Sequence, residues 1–348
     1  MTTTAKPDSA PVNRLGLSKA DYNGSPSTLC NGCGHYSIAN VIVSAAYDLS
    51  LDPTRIAKFS GIGCSSKSPA YFLGRSHSIN GLHGRMPSLA TGATTVNKEL
   101  VPIGVSGDGD TGSIGFGQFK HLLRRNVDMV YIIENNGVYG LTKGQLSATA
   151  DVGQKIKHGG VNEMPPLDLC LEAIIAGCGF VARSFAGDAR QLQALLKAAF
   201  SHHGTAVLNV LSPCVTFNNG ADSTKSYVWG KEHDLPLHEI SFIPLDHDEI
   251  QAEYEPGAIR EVAMHDGSIV RLKKIGEEYD PTDRMAAIRL LEEERAGQMF
   301  TTGLLYVNEG RQTLVEQNKL VDIPLVHLPH EKLRPSQAAL DKINAEYM

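Results

Sequence analysis

No stretch of this 348-residue chain is apolar for long enough to cross a membrane. Its most apolar runs, residues 130–133 and 206–211, have the length of strands. Positive charge is not in excess either. Thirty-two Lys and Arg stand against 38 Asp and Glu, a formal charge of −6, which argues against nucleic acid as the main partner. The start, Met1-Thr-Thr-Thr-Ala-Lys-Pro, lacks the apolar centre of a secretion signal, so the expected location is the cytoplasm. There is no internal repeat and no low-complexity segment. What remains is an ordinary globular composition, 42% hydrophobic and 20% charged, long enough for one large α/β domain with an extension, or for two domains.

Two residue types depart from the ordinary. The 34 glycines gather in tight clusters, as they do where backbone must approach a ligand. The six cysteines, in a chain with no secretion signal, are better suited to ligation, catalysis or packing than to disulfides.

Residues 1–28 are polar and read as an N-terminal arm. From 29 to 220 short apolar runs alternate with helical stretches. The strand candidates are 55–60, 100–105, 129–134, 179–185 and 206–211; the helix candidates are 35–49, 86–98, 115–125, 166–177 and 188–202. That alternation predicts an α/β fold, a mainly parallel sheet with helices on both faces. Residues 221–348 read as a less regular C-terminal extension suited to contacts between subunits. In it stand a hairpin around Asp266-Gly267, a charged helix over 281–298 and a tail over 325–348. Glu292-Glu293-Glu294 reads as a solvated face, and His202-His203 as the end of a helix whose dipole favours imidazole.

After the second strand candidate comes Ser106-Gly107-Asp108-Gly109-Asp110-Thr111-Gly112. Gly107, Gly109 and Gly112 satisfy G-x-G-x-x-G, and Glu134 stands where a dinucleotide-binding unit puts its ribose acid. The acids argue otherwise. Asp108 and Asp110 beside a pyrophosphate make sense only with a divalent cation between them. The next strand ends in Glu134-Asn135-Asn136-Gly137-Val138, whose amide and carbonyl oxygens are hard ligands suited to Mg²⁺. Gly-Asp-Gly followed some two dozen residues later by Asn-Asn resembles the thiamine-diphosphate enzyme superfamily. The resemblance implies that Asp108, the Asn136 side chain and the Val138 carbonyl hold Mg²⁺, with Gly109 and Asp110 against the cofactor.

Cys30-Asn31-Gly32-Cys33, Cys64 and Cys214 all fall in loops, whereas Cys170 and Cys178 sit in apolar stretches and read as packing residues. By spacing alone the C-x-x-C suits a redox pair or zinc as well as a cluster, and four thiolates suit Zn²⁺ as well as iron–sulfur. Their neighbours narrow the choice. Cys-x-x-Cys-Gly-His, Gly-Ile-Gly-Cys-Ser, Leu-His-Gly-Arg, Gly-Asp-Gly-Asp, Asn-Asn-x-x-Tyr-Gly-Leu-Thr-Lys-Gly-Gln and Ser-Pro-Cys-Val together resemble the β subunits of 2-oxoacid:ferredoxin oxidoreductases. The match runs from Cys30 to about Thr216, with Pro281-Thr-Asp-Arg-Met-Ala-Ala as the best segment beyond.

The resemblance implies a thiamine-diphosphate-binding fold and one [4Fe–4S] cluster on Cys30, Cys33, Cys64 and Cys214. It also implies cofactor contacts from Ile62, Gly63, Cys64, Ser65, His83, Gly140 and Leu141, with His83 among the catalytic residues. Coenzyme A would be the co-substrate and ferredoxin the electron acceptor. Only one diphosphate-type domain is visible, so an α subunit would supply the activating glutamate, in an (αβ)₂ assembly. Leu141-Thr142-Lys143-Gly144-Gln145 resembles enzymes that accept 2-oxoglutarate, with Lys143 on the distal carboxylate. A pyruvate-specific or broad-range enzyme is the nearest alternative. A Rossmann NAD-dependent dehydrogenase with structural zinc, and a non-catalytic iron–sulfur carrier, are the alternatives of other classes.

Overall fold

The computed structural model describes residues 11–155, 160–245, 259–274, 279–294 and 300–347. Among them one eight-stranded sheet organises the chain. It takes in β1 (Ile56–Ser60), β2 (His77–Asn80), β3 (Val101–Gly107) and β4 (Met129–Asn135). After a small ribbon of β5 (Val138–Tyr139) and β6 (Gln145–Leu146) come β7 (Phe180–Phe185), β8 (Thr205–Leu211) and β9 (Asp234–Pro236). A separate antiparallel sheet of β10 (His238–Ile243), β11 (Ile259–Ala263) and β12 (Ile269–Lys274) precedes β13 (Phe300–Val307), which rejoins the main sheet. The spatial order is β2-β1-β3-β4-β8-β7-β13-β9. Every pairing from β2 to β7 is parallel, and β13 runs antiparallel to β7.

Parallel neighbours need crossovers, and helices supply them. They are α1 (Gly34–Asp48), α2 (Met86–Val96), α3 (Phe116–Arg125), α4 (Leu169–Ile175), α5 (Ala189–Ser201), α6 (Tyr227–His233) and α7 (Arg284–Glu294). Side chains alternate across a strand, so each strand feeds two cores. Ile103, Val105, Val130 and Ile132 join α1 and α5 in one. Met129, Tyr131 and Ile133 join α2, α3, α4 and α7 in the other. Local chemistry sets where two of these helices begin. The Asp168 carboxylate accepts from the N–H groups of Cys170 and Leu171 at 2.8 and 3.1 Å, and Asp188 accepts from Gln191 at 3.0 Å. Such caps contribute about 1 kcal/mol each.

The strands and helices expected before residue 211 form where the pattern places them, within a few residues at each end. The stretch beyond 220 is more regular than its sequence suggests. β13 is buried at all eight positions, and its Thr301, Thr302 and Gly303 break the apolar pattern that would have revealed it. The hairpin around Asp266-Gly267 forms as β11 and β12, with Gly267 at φ 84 making the turn. The helix expected over 281–298 is α7, and residues 295–298 lie outside the described residues. Residues 325–347 are almost wholly exposed and end in a helix, Gln337–Tyr347. The arm is tied down at Tyr22, which is fully buried and donates its hydroxyl to the Leu51 carbonyl at 2.8 Å.

One surface expectation is corrected in part. Glu292 and Glu293 are exposed, but Glu294 pairs with the buried Arg183 at 2.8 Å, while Asp168 holds the other guanidinium nitrogen at 2.6 Å. His202 caps the C-terminus of α5, as expected. His202 is buried with Nδ1 2.6 Å from Glu309, and His203 Nε2 lies 3.0 Å from Glu316. Both partners come from more than a hundred residues away, beyond the reach of local pattern.

Candidate active site

Parallel strands all end at one edge of a sheet, so their following loops collect there. Four neighbouring strands, β1, β3, β4 and β8, lead directly into the segments carrying Cys64, Asp108, Asn136 and Cys214. The fold therefore brings the expected ligands together, although up to 184 residues of chain separate Cys30 from Cys214.

Asp108 sits just past β3 and is buried to 1% exposure. Its carboxylate accepts from Ser147 Oγ, from Thr149 Oγ1 at 2.6 Å and from the Asn136 N–H at 3.3 Å. Burial nonetheless pushes its pKa upward, against the pull of these hydrogen bonds. Asn136 is buried as well, and its Oδ1 accepts from the Val138 N–H at 3.0 Å. Asp108, Asn136 and Val138 line one recess with Gly109 and Gly140. A desolvated carboxylate among oxygen donors is what a divalent cation offsets, so the donor set fits Mg²⁺.

A turn of π-helix, Asp110–Ile114, follows Gly109, an irregularity common at functional sites. It points Asp110 toward the first loop. The carboxylate accepts from the Gly84 N–H at 2.7 Å and Ser106 Oγ at 2.8 Å, and from the Ile62 N–H. A Cβ on Gly61 would lie 1.7 Å from its Oδ2, so only glycine permits this approach. Burial raises the Asp110 pKa, and nearby His83 opposes the rise. Ile62, Gly63 and Ser65 line the recess with Asp108, and His83 is exposed, near enough to Asp110 to act on its charge.

Cys64 and Cys214 meet at Gly140: both sulfurs stand 3.5 Å from where its Cβ would be. Cys30 and Cys33 share their field, since Cys33 interacts with Cys64 and Cys214, and Cys64 with Cys30. Burial lifts Cys33 to about 12 and Cys64 to about 11, and the neighbouring sulfurs and Glu134 add to it. Burial and the neighbouring sulfurs both work against thiolates, which a cationic metal would favour, while among the described residues no three His, Cys, Asp or Glu side chains already stand as a metal-holding group. Cys170 and Cys178 are fully buried far from this group and bond backbone carbonyls of Ala182 and Thr205, as packing residues do.

Tyr139 to Gln145 forms a tight turn, with Lys143 at φ 81 and Gly144 at φ 97. Gly140 faces the sulfurs, whereas Leu141 and Lys143 are exposed. Sequence reasoning missed Ser147 and Thr149, which hold Asp108, and Tyr139, whose hydroxyl bonds the Gly109 carbonyl at 2.9 Å. It also left His35 without a role. His35 is 1% exposed, with Nδ1 2.5 Å from Ser212 Oγ and Nε2 3.4 Å from Asn136 Nδ2. Burial lowers its pKa to about 4 and raises that of Glu134 well above the carboxylate range. The two side chains stand 3.6 Å apart. Glu134 takes both Ser68 Oγ contacts at 3.0 and 2.9 Å and has no exposure. Glu134 thus lines the recess of Asp108 with both oxygens already engaged by Ser68, where a dinucleotide-binding unit would need them for a ribose.

Comparison with known proteins agrees with this geometry. Residues 61–210 match the family described as thiamine pyrophosphate enzyme, C-terminal TPP binding domain. Residues 269–322 match the C-terminal family of the pyruvate ferredoxin oxidoreductase beta subunit. A 2-oxoacid:ferredoxin oxidoreductase subunit beta from Sulfolobus sp is 44% identical over 219 residues, 62% of this chain and 68% of that one. The 2-oxoglutarate synthase subunit KorB of Methanothermobacter thermautotrophicus is 32% identical over 66% of this chain and 80% of its own. Among solved structures, the 2-oxoglutarate:ferredoxin oxidoreductase of Magnetococcus marinus, with 2-oxoglutarate, coenzyme A and succinyl-CoA bound, superposes with a TM-score of 0.72. Its matched chain is 31% identical, and the match covers 95% of this chain and 96% of that one.

Proposed function

This chain belongs to the β-subunit family of the 2-oxoacid:ferredoxin oxidoreductases, and from that premise we propose that it carries the thiamine diphosphate, Mg²⁺ and one [4Fe–4S] cluster of such an enzyme. The reaction is the oxidative decarboxylation of a 2-oxo acid, 2-oxoglutarate foremost, to the acyl-CoA and CO₂, reversibly. The electrons leave through the cluster to ferredoxin. The observation that carries this reading is a small recess, about 20 Å³, lined together by Asp108, Asn136 and Cys64.

Thiamine diphosphate, when bound, supplies the nucleophilic carbon and the electron sink. The chain's residues orient it. Asp108, Asn136 and the Val138 carbonyl would hold a metal whose charge would offset that of the diphosphate. Gly109, Asp110, Gly140, Leu141 and the 62–65 loop lie along the cofactor, and His83, near Asp110, is among the catalytic residues. Cys30, Cys33, Cys64 and Cys214 hold the cluster. Cys64 belongs to the loop whose Ile62, Gly63 and Ser65 line the same recess, so a cluster it helped to hold would stand close to the cofactor site. Lys143 pairs with the distal carboxylate of a dicarboxylic substrate.

The partner is an α subunit that supplies the activating glutamate, in a cytoplasmic (αβ)₂ enzyme. In support, Leu82 and Leu141 beside the recess are 78% and 54% exposed, an apolar rim suited to burial under another chain. The test is turnover of 2-oxoglutarate with a dye acceptor, prepared without oxygen. The lone chain should be inactive and the chain co-produced with an α-type partner active. Asp108→Ala should bind no thiamine diphosphate at ordinary Mg²⁺, because the metal loses its one charged protein ligand. Turnover by the lone chain would refute the shared site, and wild-type cofactor affinity in Asp108→Ala would refute the metal assignment.

A further inference from the structure

The two ligand sets proposed above are joined by two side chains that belong to neither. His35 follows Cys33 by two residues, inside the first turn of α1. Its Nδ1 reaches Ser212 Oγ at 2.5 Å, two residues before Cys214, and its Nε2 lies 3.4 Å from Asn136 Nδ2. Glu134, 3.6 Å from the same imidazole, ends β4 two residues before Asn136. Its two oxygens take the Ser68 hydroxyl at 3.0 and 2.9 Å, and Ser68 lies on the short 3₁₀ helix Ser65–Ala70 that directly follows Cys64. The loops of Cys30 and Cys33, of Cys64, of Cys214 and of the metal-binding Asn136 therefore all meet at one buried pair.

The backbone was shaped to allow this meeting. A Cβ on Gly34 would stand 2.5 Å from Ser212 Oγ and 2.9 Å from the Ser212 backbone, and the Gly34 N–H donates to the Pro213 carbonyl at 3.3 Å. His35, Glu134, Ser68 and Ser212 are each no more than 2% exposed. Buried polar groups so fully engaged are costly to break and hold one geometry. Contiguous side-chain contacts thus link the four loops.

We propose that His35 and Glu134 are positioning residues that fix the cluster-bearing loops and the metal-bearing loop in one mutual geometry, so that the state of one cofactor site sets the fit of the other. This rests on the reading of Cys30, Cys33, Cys64, Cys214, Asp108 and Asn136 as the two ligand sets. The coupling needs no contact between His35 and either cofactor. It follows from shared anchors.

The experiment uses the full chain co-produced with its partner, without oxygen, as wild type, His35→Ala, His35→Gln and the exposed control His77→Ala. Three readouts are taken: Mg²⁺-dependent thiamine-diphosphate affinity, the electron paramagnetic resonance line shape of the reduced cluster, and melting temperature. His35→Ala should weaken thiamine-diphosphate binding about tenfold, the loss of one to two hydrogen bonds, and alter the line shape in protein that still folds. His35→Gln, which keeps a donor and an acceptor, should restore both in part, and His77→Ala should change neither. If His35→Ala changes only one of the two, or only the melting temperature, the coupling is overturned. The same holds for His35→Gln should the alanine variant fail to fold. Wild-type protein that takes up neither cofactor overturns the underlying site reading and the coupling with it.

Discussion

Tyr139 donates its phenolic hydroxyl to the Gly109 carbonyl at 2.9 Å, so the ribbon after β4 is pinned across the turn after β3. The ring also covers the space a side chain at 109 would need. A Cβ there would stand 2.5 Å from two ring carbons, closer than real contacts allow.

Gly109→Ala should therefore push the Tyr139 ring and its ribbon outward without unfolding the chain, since the backbone of Gly109 has an ordinary φ of −70. Thiamine-diphosphate affinity in the presence of Mg²⁺ should fall by about tenfold or more, roughly 1.4 kcal/mol. Removing the ring as well, in Gly109→Ala with Tyr139→Leu, should recover part of the loss. A titration calorimeter decides it: equal affinity in wild type and Gly109→Ala would mean that the turn yields freely.

The cysteines divide into two classes by position. Protein prepared without oxygen should be brown, with about four irons per chain. Cys214→Ser should lose the cluster, because Cys214 shares the space at Gly140 with Cys64. Cys170→Ser should keep its iron, since Cys170 is buried in the core behind β7. Iron and sulfide analysis of the two variants side by side is sufficient. Equal iron in both would mean that the division is wrong.

On the proposed function, substrate choice is expected to turn on Lys143. The residue is exposed on a tight turn next to Gly140 and Leu141, where a cation can meet the far carboxylate of 2-oxoglutarate. Such a charge-assisted contact contributes about 1.5–3 kcal/mol. Lys143→Ala should raise KM for 2-oxoglutarate about ten- to a hundredfold and barely change that for pyruvate or 2-oxobutyrate. Steady-state kinetics with all three acids would show equal losses if Lys143 serves the shared carboxylate or the fold instead.

Stability should depend on a second buried histidine. His238, on β10, is 4% exposed, and its Nε2 accepts from the Leu304 N–H at 3.0 Å. Burial lowers its pKa from 6.5 to about 4. The unfolded chain thus takes up a proton that the folded one refuses between those two values, and stability falls as pH drops from about 6.5 toward 4. The contribution of this one group is on the order of 2–4 kcal/mol. His35, lowered for the same reason, adds to the same window. In urea unfolding at a series of pH values, His238→Gln should show a shallower loss of stability across that window than wild type; an identical slope would falsify the assignment.

Much of the site was legible in the sequence because its ligands sit next to signals that act locally. Gly107-Asp108-Gly109 follows a strand and Asn135-Asn136 ends the next. Cys30, Cys33, Cys64 and Cys214 fall in loops, whereas Cys170 and Cys178 lie in apolar runs. Period and turn chemistry are enough to place such residues at one edge of a parallel sheet. The same reasoning overlooked β13, whose burial comes from its neighbours and not from its own Thr-Thr-Gly pattern.

Residue types and their order along the chain were thus determined by the sequence alone: the strands, the glycine turn, the four cysteines in loops and the two cysteines in apolar runs. Tertiary structure alone decided which side chains stand behind them. Ser68 meets Glu134 across 66 residues, His35 meets Asn136 across 101 and Ser212 across 177. Arg183 takes Glu294 across 111. None of these pairs has a spacing that a helix or strand would impose. They form because the sheet order sets β1, β3, β4 and β8 side by side, and because a polar group buried at that edge must find its partner among whatever the neighbouring loops present.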